Sequence, residues 1–95
     1  MLIYVWAFEQ PEDSNLYKQR SKLQYLSEDR QDVLVPWNLS SDPANPMIEH
    51  RYYHLFKQFE LDSLLLEACP GQIEIVESGY DRDNWFVIAR KIDVI

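Results

Sequence analysis

Leu2-Ile3-Tyr4-Val5-Trp6-Ala7-Phe8-Glu9-Gln10-Pro11 carries the strongest strand signal in the sequence. Its apolar part, rich in β-branched and aromatic residues and without polar alternation, reads as a strand buried on both faces. Glu9-Gln10-Pro11 ends it, because Pro cannot continue a ladder and Glu is costly to bury. Downstream, Leu61, Leu64, Leu65 and Ala68 form one apolar stripe at helical spacing, with Glu60, Asp62, Ser63 and Glu67 opposite. This predicts a helix from Lys57 to Ala68, stopped by Pro70-Gly71. Two strands follow, Gln72 to Tyr80 and Trp85 to Lys91, and Asp81-Arg82-Asp83-Asn84 between them has the residue types of a tight hairpin connection. The order is β, long loop, α, antiparallel β-hairpin, an α/β class. Three strands and one helix cannot cover both faces of the first strand, so further packing is expected from a partner or from residues before Met1.

Composition narrows the function. The chain has 95 residues, one small domain or part of a larger one. Nine basic residues against 16 acidic ones give a net charge of −7, which disfavours a free-standing nucleic-acid binder. A single cysteine, Cys69, excludes an intramolecular disulfide and a Cys-based zinc cage. The only glycines, Gly71 and Gly79, cannot make a Gly-rich phosphate loop. No apolar run is long enough to span a membrane, and the start lacks the basic flank and cleavage site of a signal peptide. The expectation is a cytoplasmic or nuclear protein with no membrane partner.

Two stretches, about 11–30 and 38–48, read as flexible loops, the first with one helical turn near Leu23. Between them Asp32 to Trp37 is extended, as the residue before Pro36 requires. His50 and His54 stand four apart and would face one way on a helix, but no further ligand recurs at metal spacing, so no metal site is expected. Cys69 reads as a small buried apolar residue, and Glu9, Asp32, Asp81 and Asp83 as solvated loop charges. Arg51-Tyr52-Tyr53-His54 combines a cation, aromatics and an imidazole, the groups that recognise an unstacked nucleotide. Its alternative reading packs Tyr53 and Leu55 inward as the approach to the helix. Asp83-Asn84-Trp85 reads either as a turn in which Asn84 takes positive φ or as a polar rim beside an aromatic.

Taken in order, Leu2 to Gln10, Gln31 to Trp37, Arg51 to His54, Glu60-Leu61 and Asp81 to Ile88 resemble the C-terminal half of the AdoMet-dependent tRNA methyltransferases that esterify carboxymethyl groups on the wobble uridine. The chain departs from that pattern at Phe59, where many relatives have Gly. The resemblance implies a Rossmann-like class I methyltransferase sheet, with residues 1–95 as the C-terminal half of the domain. Its last inserted strand lies antiparallel between the other two, giving the order first, third, second strand of this sequence. It also implies AdoMet as the cofactor of the complete enzyme, tRNA as substrate and a small zinc-containing activator subunit. Substrate contacts would fall to Arg51, Tyr53, His54, Asp83, Asn84, Trp85 and Trp37. The half that holds AdoMet would precede this sequence. The isolated chain is therefore expected neither to bind AdoMet nor to methylate tRNA. The competing function is a non-catalytic, truncated interaction protein that associates with the parent enzyme or its partner through exposed apolar surface.

Overall fold

The computed structural model describes residues 1–93 and falls into two units, Met1–Gln10 with Phe56–Ile95, and Pro11–Leu55. In the first unit, β1 (Leu2–Trp6), β5 (Ile73–Asp81) and β6 (Asn84–Lys91) form an antiparallel sheet of order β1-β6-β5. This is the strand order expected above. Register runs from Leu2 opposite Ile88 to Trp6 opposite Asn84 on one side of β6, and from Ile73 opposite Lys91 to Asp81 opposite Asn84 on the other. Helix α2 (Glu60–Ala68) covers one face: Leu61, Val87 and Ala89 are buried there, with Ile3, Val5, Phe56, Leu65, Ile73 and Ile75 packed around them.

The first strand is not buried on both faces. Ile3 and Val5 turn toward α2, whereas Leu2 and Tyr4 on the opposite face are 61% and 52% exposed. Strand side chains alternate, and α2 packs on one face of this sheet, so among the described residues the Ile3 and Val5 side is the covered one. Strand pairing ends at Trp6; beyond it Ala7 makes a single parallel bridge to Phe56, with Phe56 N–H donating to the Trp6 carbonyl and Phe8 N–H to the Phe56 carbonyl.

Helix α2 begins at Glu60, later than the expected Lys57. Phe59 stands before it with φ 67°, a left-handed conformation that cannot propagate a right-handed helix and costs a non-glycine residue roughly 1–2 kcal/mol. At the other end α2 stops at Ala68 with Cys69 as its cap, and Pro70 and Gly71, the latter at φ 70° without a Cβ penalty, lie just beyond it, the stop the sequence predicts. The β5–β6 connection is a two-residue turn with positive φ at Arg82 (48°) and Asp83 (71°). That is the primed geometry whose twist suits a hairpin. The positive φ expected at Asn84 falls on its two predecessors; Asn84 opens β6, its amide donating to the Asp81 and Arg82 carbonyls at 3.3 and 2.9 Å.

In the second unit, β2 (Gln24–Tyr25), β3 (Asp32–Asn38) and β4 (Ile48–His54) form a second antiparallel sheet of that order. The 11–30 stretch carries more structure than one turn near Leu23: α1 (Asn15–Lys18), a 3₁₀ turn at Arg20–Lys22, then β2. Ser14, buried, caps α1 by accepting from Tyr17 N–H at 3.0 Å. The 38–48 stretch joins β3 to β4, and Asn38 Oδ1 accepts from Ser40 and Met47 N–H groups. Arg51-Tyr52-Tyr53-His54 is therefore strand, not the approach to a helix. Gln31 closes the end of this ribbon: its carbonyl accepts from Leu55 N–H at 2.6 Å and its amide donates to the Leu55 carbonyl at 3.0 Å. Val33, Val35 and Leu55 are buried.

Candidate functional site

Pairing of β3 with β4 sorts the second unit's candidates onto two faces. Val33 opposite Tyr53, Val35 opposite Arg51 and Trp37 opposite Glu49 share one face; Asp32 opposite His54, Leu34 opposite Tyr52 and Pro36 opposite His50 share the other. Arg51, Tyr53 and Trp37 thus stand together, while His54 projects the other way.

On the first face, burial falls away along the strands from Val33 to Trp37, which is 38% exposed. Arg51 lies one position diagonally from Trp37, and its guanidinium sits 5.0 Å from the Trp37 ring centroid. That distance is within cation–π range, so the ring attracts the Arg51 charge. A flat cation beside an exposed ring suits a planar, anionic ligand.

On the second face, the Asp32 carboxylate gathers two partners through one oxygen. Tyr52 donates its hydroxyl to Oδ1, and His54 Nδ1 lies 2.9 Å from the same atom. The Tyr52 hydrogen bond first, and the His54 one second, hold the Asp32 carboxyl below the usual carboxylate range. Reciprocally, Asp32 pushes the Tyr52 phenol up. Asp32 is not the solvated loop charge expected from sequence. Nothing in its local pattern signalled this, because its partners come from across the sheet at positions 52 and 54. His50 shares this face, yet no group of three or more His, Cys, Asp or Glu among the described residues is placed to hold a metal.

In the first unit, Asp83, Asn84 and Trp85 lie at the hairpin tip, where β1 ends. The Asp83 carbonyl accepts from Ala7 N–H at 3.0 Å and from the Gln10 amide at 2.9 Å, and the same amide donates to the Ala7 carbonyl at 2.7 Å. Glu9, also expected to be a solvated charge, is tied at three points. Its carboxylate accepts from Trp85 Nε1 at 3.1 Å and Gln58 N–H at 3.0 Å, and its carbonyl accepts from the Tyr80 hydroxyl at 2.9 Å. Tyr80 meets the Trp85 ring edge-on, with centroids 5.0 Å apart. Trp85 is therefore half-buried and positioned by Glu9 and Tyr80. Sequence reading missed Glu9, Gln10 and Tyr80; the signal was the Glu9-Gln10 pair that ends the first strand. Tyr4 donates to Asp81 Oδ2 at 3.1 Å, and this bond raises the Tyr4 phenol.

Neither glycine lies in a strand-to-helix turn: Gly71 lies between α2 and β5, and Gly79 sits within β5 opposite Phe86. A Cβ at Gly79 would meet the Phe86 ring at 3.0 Å. The described residues accordingly do not fit the cradle of a nucleotide-like cofactor, which needs close backbone approach at such a turn.

No protein-family profile matches the chain. Over 105 aligned residues it is 39% identical to the tRNA (carboxymethyluridine(34)-5-O)-methyltransferase of Schizosaccharomyces pombe, covering 95% of this chain and 41% of that protein. It is 36% identical to the tRNA (carboxymethyluridine(34)-5-O)-methyltransferase ALKBH8 of Macaca fascicularis over 64% of this chain and 11% of that protein. With the probable tRNA methyltransferase 9B of Homo sapiens it shares 30% identity over 87% of this chain and 18% of that protein. The chain spans less than half the length of each of these relatives.

Proposed function

The chain is homologous to part of the tRNA (carboxymethyluridine(34)-5-O)-methyltransferases, and from that premise we propose that it is the C-terminal, substrate-side part of such an enzyme. The observation that carries this reading is the match to the fission yeast methyltransferase along 95% of the chain. The antiparallel order β1-β6-β5 supports the finer assignment of a Rossmann-like class I sheet, in which β1 is the fifth strand and β5 and β6 are the last two. In the complete enzyme AdoMet supplies the methyl group. Because the described residues do not fit that cofactor, its site lies outside them and no step here passes through it.

The work left to this chain is recognition of tRNA. A carboxymethyl group is already ionised at neutral pH, so its esterification needs placement and charge compensation more than a base. Arg51 binds the carboxylate or a phosphate, with Trp37 holding its guanidinium and offering a ring for stacking. Tyr53 extends that face, and His54, held at Nδ1 by Asp32, serves the opposite one. In the other unit Asp83, Asn84 and Trp85 contribute at the hairpin tip, with Trp85 oriented by Glu9. The partners on this reading are tRNA and a small zinc-containing activator subunit, and the setting is the cytoplasm or nucleus. Among the described residues no helix is long and apolar enough to cross a membrane.

The test is Arg51→Ala in the complete enzyme. Loss of a charge-assisted hydrogen bond should weaken tRNA use by about 1–3 kcal/mol with an unchanged melting temperature. Unaltered turnover together with unaltered tRNA affinity refutes the assignment. A second reading, a non-catalytic interaction protein, draws on the exposed Leu2 and Tyr4 of β1 and on the exposed Val76, the extra residue of a bulge in β5 on the far side of β6. It gains if an otherwise intact enzyme tolerates Arg51→Ala yet loses assembly on Tyr4→Asp.

A further inference from the structure

Phe59 combines two unfavourable properties. Its φ of 67° belongs to the region that suits glycine, and its side chain is 64% exposed. The backbone would be better served by glycine, and the core gains little from a ring that points to water. Such a residue is a candidate for work done outside the chain. Its neighbours give that work a shape. Gln58, Phe59, Glu60, Leu64 and Glu67 surround the small Ser63 and line a shallow groove of about 400 Å³ along α2. Leu64, on the wall of the groove, is 51% exposed. Ser63, small and exposed between them, leaves room for one apolar side chain of a partner.

Charge selects the partner. Glu60 and Glu67 rim the groove, the last turn of α2 carries no basic residue, and the chain as a whole is at −7. Lys57 carries its ammonium over the Phe8 ring at 5.1 Å, and its main-chain N–H donates to the Glu60 carboxylate at 3.0 Å. We infer that the Phe59–Leu64 groove on α2 docks an amphipathic basic helix of a partner protein, an apolar side chain seated on Ser63 between Lys or Arg residues that face Glu60 and Glu67. Apolar burial supplies the affinity, and the acidic rim sets orientation and excludes acidic partners.

The probe is a fluorescent amphipathic peptide of Leu and Lys at helical spacing, titrated by anisotropy against the whole chain, beside a Leu–Glu peptide and an Ala–Lys peptide of the same pattern. The Leu–Lys peptide should bind, and both others should fail. Phe59→Gly and Leu64→Ala should each weaken binding by about tenfold, as truncated interface anchors do. Melting of Phe59→Gly should stay at or above that of the parent chain, because glycine relieves the backbone. Glu67→Gln should weaken binding by a few fold and reduce its dependence on salt. Equal binding by the Ala–Lys peptide, or affinity unchanged in both Phe59→Gly and Leu64→Ala, means charge adhesion alone and overturns the proposal. So does equal binding by the Leu–Glu peptide, or no binding by the Leu–Lys peptide.

Discussion

Gln10→Glu is the substitution that most sharply tests how the hairpin tip is fixed. The Gln10 amide donates to two main-chain carbonyls, Ala7 at 2.7 Å and Asp83 at 2.9 Å, while its Oε1 is buried without a hydrogen-bond partner. A carboxylate of the same shape removes both donated bonds, worth about 1 kcal/mol each, and turns an anionic oxygen toward carbonyl oxygens in a partly buried site. The Asp83 carbonyl keeps the Ala7 N–H, which limits the damage at one end. The expected loss is about 2–4 kcal/mol at neutral pH, or a fall in melting temperature of roughly 10–25 °C for a chain of this size. A carboxyl facing carbonyls has its folded-state pKa raised above the ordinary value of about 4.3. The deficit is therefore full above the folded pKa and shrinks as pH falls through it, because the protonated acid again donates to one carbonyl. Thermal melts of the variant and parent across the acid range, followed by circular dichroism, read this directly. A deficit that does not change with pH, or a melting temperature unaltered at neutral pH, refutes the proposed role of the amide.

Gly79→Ala should destabilise by about 1 kcal/mol, since the new Cβ meets the Phe86 ring, which itself packs on Tyr4 with centroids 5.7 Å apart; urea midpoints measure this, and Gly79→Ala with Phe86→Leu should recover part of it. Asp32 has a lowered folded-state pKa, so its stabilisation is present above its unfolded value of about 3.9 and is lost as pH falls through the folded value. Asp32→Asn should accordingly flatten the acid limb of the stability curve, and nuclear magnetic resonance should see the His54 ring move with the same titration. Val87→Ala, in the fully buried core beneath α2, should cost about 2–3 kcal/mol, measured by the same urea midpoints.

The first unit was largely legible in the sequence, because its elements are set by local pattern. The β-rich Leu2 to Phe8 run, the Leu61-Leu64-Leu65-Ala68 stripe and the Asp81 to Asn84 turn each point to one structure. The second unit was not. Its β3–β4 ribbon lacks a clean alternation on β4, where His50 and His54 fit helical spacing as well as strand spacing, and only pairing with β3 settles their period at two. The misjudged residues are also those with distant partners. Glu9 finds Trp85 across 76 positions, and Gln10 finds Asp83 across 73. The helix start was misplaced at Lys57 because the Leu61-Leu64-Leu65-Ala68 stripe carries no signal for the left-handed backbone at Phe59, which the departure from Gly there marks. Arg51 and Trp37 were chosen for their chemistry alone, and cross-strand register brings them together.

The central claim, that this chain is the substrate-side part of a wobble-uridine methyltransferase, is tested most directly by exchange. The matching segment of the fission yeast methyltransferase is replaced by these 95 residues, and the chimera is given AdoMet and tRNA bearing wobble carboxymethyluridine. Mass spectrometry of the digested tRNA reads the product. The methyl ester should form, and Arg51→Ala within the chimera should reduce it. A folded chimera that binds AdoMet yet leaves the carboxymethyl group unesterified contradicts it.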